Sequence, residues 1–85
     1  MVTWTDKAWK QYPEWQKTDR KTVKKINSLI VDIDRNRLLN GIGKPEALRG
    51  MKACSRRIDD EHRLVYNSDD SGNIIIYACK GHYED

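Results

Sequence analysis

Hydrophobic residues recur with strand-like alternation at the start of the chain and with helical spacing in the segment that follows. Val2 and Trp4 alternate with polar neighbours and predict a short strand over residues 1–5. Thr5 is a favourable N-cap for a first helix. The apolar side chains expected on one face of that helix are Ala8, Trp9, Tyr12 and Trp15. Pro13 has no N–H for the helical ladder, so we expect a kink or an early end there.

A second, longer helix is predicted from a cap at Thr18 or Asp19 to about Arg37. Its core-facing stripe consists of Val23, Ile26, Leu29, Ile30 and Ile33. The opposite side carries Lys21, Lys24, Lys25 and Arg35. A basic helix face of this kind is typical of a solvated surface or of a surface that follows an RNA backbone. The helix taken alone slightly favours the solvated surface.

The last third of the chain is rich in β-formers. Residues 54–59, 62–67 and 74–79 predict three antiparallel strands separated by polar turns. The run 74–79 is almost continuously hydrophobic, which is typical of a central strand covered on both faces. We therefore expect one α+β domain over residues 1–85, with an N-terminal strand and two helices packed on a small, mainly antiparallel sheet. The two helices should pack on one face of the sheet and leave the other face open.

Composition narrows the functional classes. The 85 residues carry 16 basic and 13 acidic side chains, and the net charge of +3 leans weakly toward an anionic partner. No apolar run approaches the ~18 residues of a membrane span, and the N-terminus does not read as a signal peptide. The two cysteines form no CxxC motif and the two histidines lack zinc-ligand spacing. We expect a cytoplasmic protein with reduced thiols, no cofactor and no metal.

Two arginines are the first candidates for chemistry. Strand alternation places only one of Arg56 and Arg57 on a given face, and Arg57 can share the open face with Arg63 of the next strand. Two converging guanidinium groups would hold a phosphate and stabilise charge that develops on it. The competing interpretation is a pair of surface salt bridges with Asp59, Asp60 or Glu61.

A candidate acid and a candidate base complete the set. His82 follows the last strand, and an imidazole can donate or accept a proton near neutral pH. A lone histidine near a terminus is more often simply exposed. Glu46 follows the turn-rich loop 41–45, which lacks the preceding strand and the GK[ST] ending of a nucleotide-binding loop. Its carboxylate could take a proton or could pair with Lys44 or Arg49.

Four short motifs follow one another along the chain: Gly-Lys-Pro-Glu at 43–46, Ser-Arg-Arg-Ile at 55–58, Glu-His-Arg-Leu-Val-Tyr at 61–66 and His-Tyr at 82–83. With these motifs the chain resembles the YoeB branch of the RelE/ParE toxin superfamily from end to end. The resemblance implies a bacterial toxin that cleaves mRNA on the ribosome without a metal. It also implies a YefM-type antitoxin that neutralises the toxin, indirect contact with operator DNA through the antitoxin complex, and a possible homodimer.

The resemblance also implies roles for individual residues. Glu46 would deprotonate the ribose 2′-hydroxyl, and Arg57 and Arg63 would bind the scissile phosphate. His82 would protonate the 5′-oxygen, and Tyr83 would help to position the substrate. Basic residues expected to contact RNA are Lys21, Lys24, Lys25, Lys44 and Arg49.

Two other functions stay open on the sequence alone. One is a weakly active or inactive fold-mate that binds its antitoxin and operator DNA. The other is a relative that acts on a different target, as the gyrase-poisoning branches of the superfamily do. The presence of Glu46, Arg57, Arg63, His82 and Tyr83 together favours the ribonuclease.

Overall fold

Two helices and five strands make up the fold in the computed structural model, which describes residues 1–82. The elements are β1 (Val2–Trp4), α1 (Asp6–Thr18), α2 (Arg20–Asn36), β2 (Glu46–Ala47), β3 (Cys54–Arg57), β4 (Arg63–Ser68) and β5 (Ile74–Ala78). The strands form one sheet in the order β1-β5-β4-β3-β2, in which only β1 and β5 run parallel. The predicted α+β class is confirmed, and the sheet gains β2, which the sequence pattern did not indicate.

Polar caps determine where both helices begin. Thr5 Oγ1 accepts the Ala8 N–H at 3.2 Å and donates to the Tyr77 carbonyl at 3.0 Å, so it joins α1 to β5. Asp19 accepts the backbone N–H of Lys21 and of Thr22, and the Thr22 hydroxyl adds a third hydrogen bond. These hydrogen bonds hold the pKa of Asp19 below its usual value, and the bond from the Thr22 side chain has the largest effect. The predicted caps are confirmed.

The early end, one of the two outcomes expected at Pro13, is wrong, because α1 continues through Pro13 to Thr18. Pro13 removes one ladder hydrogen bond to the Trp9 carbonyl. The last turn is held instead by tertiary contacts of Trp15, which is buried and donates its indole N–H to the Cys79 carbonyl at 2.8 Å. Anchoring by this side chain compensates for the missing backbone bond.

The core lies between the helices and one face of the sheet. Ile26, Leu29 and Ile33 of α2 are fully buried, which confirms the predicted stripe, and Val23 and Ile30 pack beside them half-buried. The sheet contributes Leu64, Tyr66, Ile74 and Ile76 to the same cluster. On the predicted apolar face of α1, Ala8 and Trp15 are buried, whereas Trp9 is 58% exposed.

Strand β5 differs from the prediction in its burial. It pairs with a strand on each side, but the middle strand of the sheet is β4. Its burial alternates: Ile74 and Ile76 are buried under the helices, whereas Ile75 and Tyr77 are only half-buried. The face away from the helices is therefore less covered than the continuous hydrophobic run suggested.

The face without helices is not fully open either. A small second cluster of Leu48, Ala53, Val65 and Ala78, with Tyr77 packed against it, covers part of it. The connection between β2 and β3 brings in the first two of these side chains. What remains of this face is its polar part, around the ends of β3 and β4.

Candidate active site

The two adjacent arginines of β3 lie on opposite faces of the sheet. Arg57 stands directly opposite Arg63 in the antiparallel pairing of β3 with β4, as predicted. Because side chains alternate along a strand, Arg56 faces the helices, where it is completely buried.

Arg57 and Arg63 line one polar cleft of about 250 Å³ at the end of the sheet. The other side chains around it are Lys44, Glu46, Asp59, Asp60 and His82. The structure thus brings together four of the five predicted catalytic residues, Glu46, Arg57, Arg63 and His82. Tyr83, like Glu84 and Asp85, lies outside the described residues.

Arg63 is fixed by contacts at several of its donors. Its Nε donates to Ser55 Oγ at 2.8 Å, and Ser55 is fully buried. Its Nη2 donates to the Lys44 carbonyl at 3.3 Å and lies 3.4 Å from Glu46 Oε1. The side chain of Arg63 is 15% exposed, so one surface of a well-oriented guanidinium faces the cleft beside a carboxylate.

Arg57 is held less tightly. Its side chain is 42% exposed and forms an ion pair with the more exposed Asp60. Its backbone N–H donates to the Gly43 carbonyl at 2.7 Å, which attaches the Gly-Lys-Pro-Glu loop to β3. The two interpretations of the sequence therefore coexist: Arg57 lies in the candidate site, and it also has one of the expected salt-bridge partners.

The loop that delivers Lys44 and Glu46 is organised by Arg56 from the other face. All five N–H donors of Arg56 are used: Nε donates to the Tyr66 hydroxyl, Nη1 to Asp32 and the Ile42 carbonyl, and Nη2 to the carbonyls of Arg37 and Asn40. The hydrogen bond from Arg56 is the main cause that holds the pKa of Asp32 below its usual value.

Gly41 lets this loop approach Asp32 closely. Its φ is +113°, and a Cβ there would lie 1.9 Å from Asp32 Oδ2. A side chain at this position would therefore displace the carboxylate that binds Arg56. Beyond the loop, Glu46 pairs with Ser55 across β2 and β3, which places its carboxylate beside Arg63.

Cys79 and Gly81, which precede His82 in the chain, are each held by hydrogen bonds at both their N–H and their carbonyl group. The Cys79 carbonyl accepts from Trp15 Nε1 at 2.8 Å, and the Cys79 N–H donates to Gln11 Oε1 at 2.7 Å. The Gly81 carbonyl accepts from the Arg63 N–H at 3.0 Å, and the Gly81 N–H donates to His62 Nδ1 at 2.9 Å. No sequence pattern indicated these hydrogen bonds, because their partners lie far apart along the chain.

Four of the five basic residues predicted to contact RNA do not line the cleft. Among the basic residues named above, Lys44 lines it, with its backbone in the left-handed region at φ +49°. Lys21, Lys24 and Lys25 belong to α2, which packs against the opposite face of the sheet, and Arg49 follows β2. An RNA role for these four stays a prediction about surfaces outside the cleft.

The two thiols lie in the interior, apart from the cleft. Cys54 and Cys79 are free and buried, and burial raises the pKa of both, that of Cys79 to about 11. Such thiols are poor nucleophiles at neutral pH.

Within residues 1–82, no three His, Cys, Asp or Glu side chains are grouped so as to hold a metal ion. The same residues contain no helix with the length and apolar character of a membrane span.

Comparison with known proteins gives a consistent result. The profile of the family described as "YoeB-like toxin of bacterial type II toxin-antitoxin system" matches residues 4–83. The protein named Toxin YoeB from Escherichia coli K12 is 48% identical over 85 residues, covering 96% of this chain and 98% of that protein.

Two solved structures from Staphylococcus aureus have the same fold. One is a heterotetrameric YoeB–YefM toxin–antitoxin complex, with a TM-score of 0.89, 49% identity and coverage of 98% of this chain and 97% of that one. The other is a YoeB dimer, with a TM-score of 0.90, 50% identity and coverage of 96% and 95%.

Proposed function

Because the chain belongs to the YoeB-like toxins of bacterial type II toxin–antitoxin systems, we propose that it is a metal-independent endoribonuclease that cleaves mRNA on the ribosome. The observation that carries the proposal is the convergence of Lys44, Glu46, Arg57, Arg63 and His82 on one cleft. A carboxylate, an imidazole and guanidinium groups are the parts that phosphoryl transfer from a ribose hydroxyl requires.

The proposed reaction begins at Glu46, whose carboxylate takes the proton of the ribose 2′-hydroxyl. The 2′-oxygen attacks the phosphorus, and the bond from phosphorus to the 5′-oxygen breaks. His82 gives its proton to the departing 5′-oxygen. The products are a 2′,3′-cyclic phosphate and a 5′-hydroxyl, and no water is consumed in this step.

Arg63 and Arg57 would stabilise the extra negative charge that the pentacovalent phosphorus carries in the transition state. Arg63 is suited to this role because Ser55 and Glu46 already fix its orientation, so little reorganisation is needed on binding. Arg57 would exchange its Asp60 partner for the phosphate. Tyr83 would complete the positioning of the substrate, as the family resemblance implies.

Mapping of mRNA ends after induced expression in a bacterium tests the proposal. The ribonuclease predicts new 5′ ends inside translated reading frames, which are lost with the Glu46→Gln variant. An inactive fold-mate that only binds antitoxin and operator DNA predicts no new ends. A relative that acts on gyrase predicts DNA breaks with intact mRNA.

We also propose that a YefM-type antitoxin neutralises the chain, as a YefM protein assembles with the S. aureus relative. An acidic segment that folds as it binds would pair with the three basic side chains of the cleft, whose lining also includes three carboxylates. The complex, rather than the toxin alone, would contact operator DNA. Protection of residues 43–46 and 55–63 from hydrogen exchange on antitoxin binding would support inhibition by covering the cleft, whereas protection only elsewhere would contradict it.

A homodimer is the second assembly that we propose. Trp9 is 58% and Val2 36% exposed, and Trp9 packs with Trp4 and Tyr12 in one aromatic patch at centroid distances of 5.8 and 6.4 Å. Exposed aromatic patches mark interaction surfaces, and the S. aureus relative forms a dimer. Sedimentation of the wild type and of Trp9→Glu tests this proposal. We expect the wild type to be a dimer and the variant a monomer. The same oligomeric state in both proteins would exclude the patch as the dimer interface.

A further inference from the structure

His62 has no assigned part in the chemistry, yet its side chain holds the residue next to His82. His62 Nδ1 accepts the Gly81 N–H at 2.9 Å, which leaves the ring proton on Nε2. His62 is half-buried, and its ring stands edge-on to Trp15 at a centroid distance of 4.8 Å and an angle of 82°. The ring therefore has both a packing partner and a hydrogen-bond partner.

Gly81 lies three residues after the end of β5 at Ala78 and directly precedes His82, which lines the cleft. Its φ is +103°, a conformation that residues with a side chain rarely adopt. A flexible glycine before a catalytic group needs outside restraint to keep that group in place. The Arg63 N–H supplies one restraint on the Gly81 carbonyl, and His62 supplies the other on the Gly81 N–H.

We propose that His62 is a positioning residue for the general acid: through Gly81 it fixes the backbone that presents His82 to the leaving oxygen. The inference rests on the proposed ribonuclease activity for its consequence, whereas the contact itself is a property of the free protein. Small displacements of a catalytic group cost on the order of 10²-fold in rate. Loss of the His62 acceptor should therefore lower the rate of the chemical step and leave the affinity for the ribosome largely unchanged.

The alternative role is packing against Trp15, and two substitutions separate the roles. Asn places its Oδ1 where histidine has Nδ1, so His62→Asn keeps the acceptor and loses the ring. His62→Phe keeps a ring against Trp15 and loses the acceptor. The His62 N–H donates to Asp59 Oδ1, and the His62 carbonyl accepts from the Ile58 N–H. Because these are backbone groups of residue 62, the turn between β3 and β4 should keep its conformation in both variants.

The first measurement is hydrogen exchange of the Gly81 amide in the free protein. Wild type and His62→Asn should protect this amide, and His62→Phe should exchange it about tenfold faster or more. Equal protection in His62→Phe would overturn the proposal. Should that variant fail to fold, His62→Leu replaces it in the same comparison.

The second measurement is single-turnover cleavage on programmed ribosomes. His62→Phe should be slower by about 10- to 100-fold at saturating ribosomes, and His62→Asn should stay within a few-fold of wild type. A wild-type rate in His62→Phe, or equal losses in both variants, would refute positioning through the acceptor. If wild type itself does not cleave, the proposed function fails, and the exchange experiment still decides whether His62 holds Gly81.

Discussion

Arg56 and Arg57 are neighbours in β3, yet one lies on the helix-covered face of the sheet and the other on the face that carries the cleft. Arg56 is completely buried and each of its five donors has a protein partner. Arg57 is 42% exposed and its guanidinium is paired with one exposed aspartate. An arginine whose donors are all used stabilises a fold, whereas one with a single exchangeable partner can bind a phosphate.

The two faces also differ in what surrounds the arginines. On the helix side, the Tyr66 hydroxyl accepts from Arg56 Nε and donates to the Leu38 carbonyl, so polar groups form a closed network inside a hydrophobic core. On the other face, three carboxylates, a lysine and a histidine line the cleft together with Arg57 and Arg63. The comparison predicts that substitutions on the first face cost stability and that those on the second cost activity.

The largest effect is expected for Arg56→Met. It removes the ion-pair partner of Asp32 and the donor to the carbonyls of Arg37, Asn40 and Ile42. Breaking a buried ion pair on one side costs about 3–5 kcal/mol. Urea unfolding should detect this loss, whereas Arg57→Met should change the free energy of unfolding by at most ~1 kcal/mol. Similar losses for the two variants would remove the distinction between the faces.

Arg63→Ala should lower the single-turnover rate by about 10²–10³-fold, because Arg63 would act on charge that develops in the transition state. Lys24→Ala is the matched control on the helix side. It removes a screened, long-range attraction and should cost only a few-fold. Rates on programmed ribosomes, with melting temperatures to verify folding, make the comparison. Equal losses would reduce Arg63 to a general electrostatic contact.

His82→Gln should slow cleavage by about 10²-fold or more, because glutamine keeps hydrogen bonding but cannot donate a proton of suitable acidity. Ribosome binding should change little. Binding and single-turnover cleavage measured on the same preparation separate the two effects. A wild-type rate would exclude His82 as the acid and leave positioning on the ribosome as the main source of catalysis.

The smallest effect is expected for Asp60→Asn, which removes the carboxylate that pairs with Arg57. A phosphate would no longer compete with this carboxylate, so cleavage at low ribosome concentration should rise a few-fold. Asp70→Asn makes the same change of charge in the exposed turn between β4 and β5 and should have no such effect. A decrease with Asp60→Asn alone would mean that Asp60 assists the reaction.

The sequence predicted those parts of the molecule that depend on local pattern. Alternation along β3 and β4 was sufficient to place Arg57 and Arg63 on one face, and the register confirms it by setting them opposite each other. The capping residues Thr5 and Asp19 were recognisable because their hydrogen bonds reach only two or three residues along the chain.

The parts that escaped prediction depend on contacts between distant residues. Strand β2 has two residues, too few for a pattern, and forms because Glu46 and Ala47 pair with β3. Helix α1 continues past Pro13, and its next turn carries the hydrogen bond from Trp15 to Cys79, 64 residues away. The contact of His62 with Gly81 was hidden for the same reason: neither residue type nor spacing indicates which backbone amide an imidazole will accept from.

The most direct test of the account is the chemistry of the cut ends when purified protein cleaves mRNA on programmed ribosomes. After assembly, divalent ions would be reduced with EDTA to the lowest level at which the ribosomes stay intact. Catalysis by Glu46, Arg63 and His82 predicts continued cleavage that leaves a 2′,3′-cyclic phosphate and a 5′-hydroxyl. Ends that carry a 5′-phosphate, or activity on intact ribosomes that chelation abolishes and magnesium restores, would contradict it.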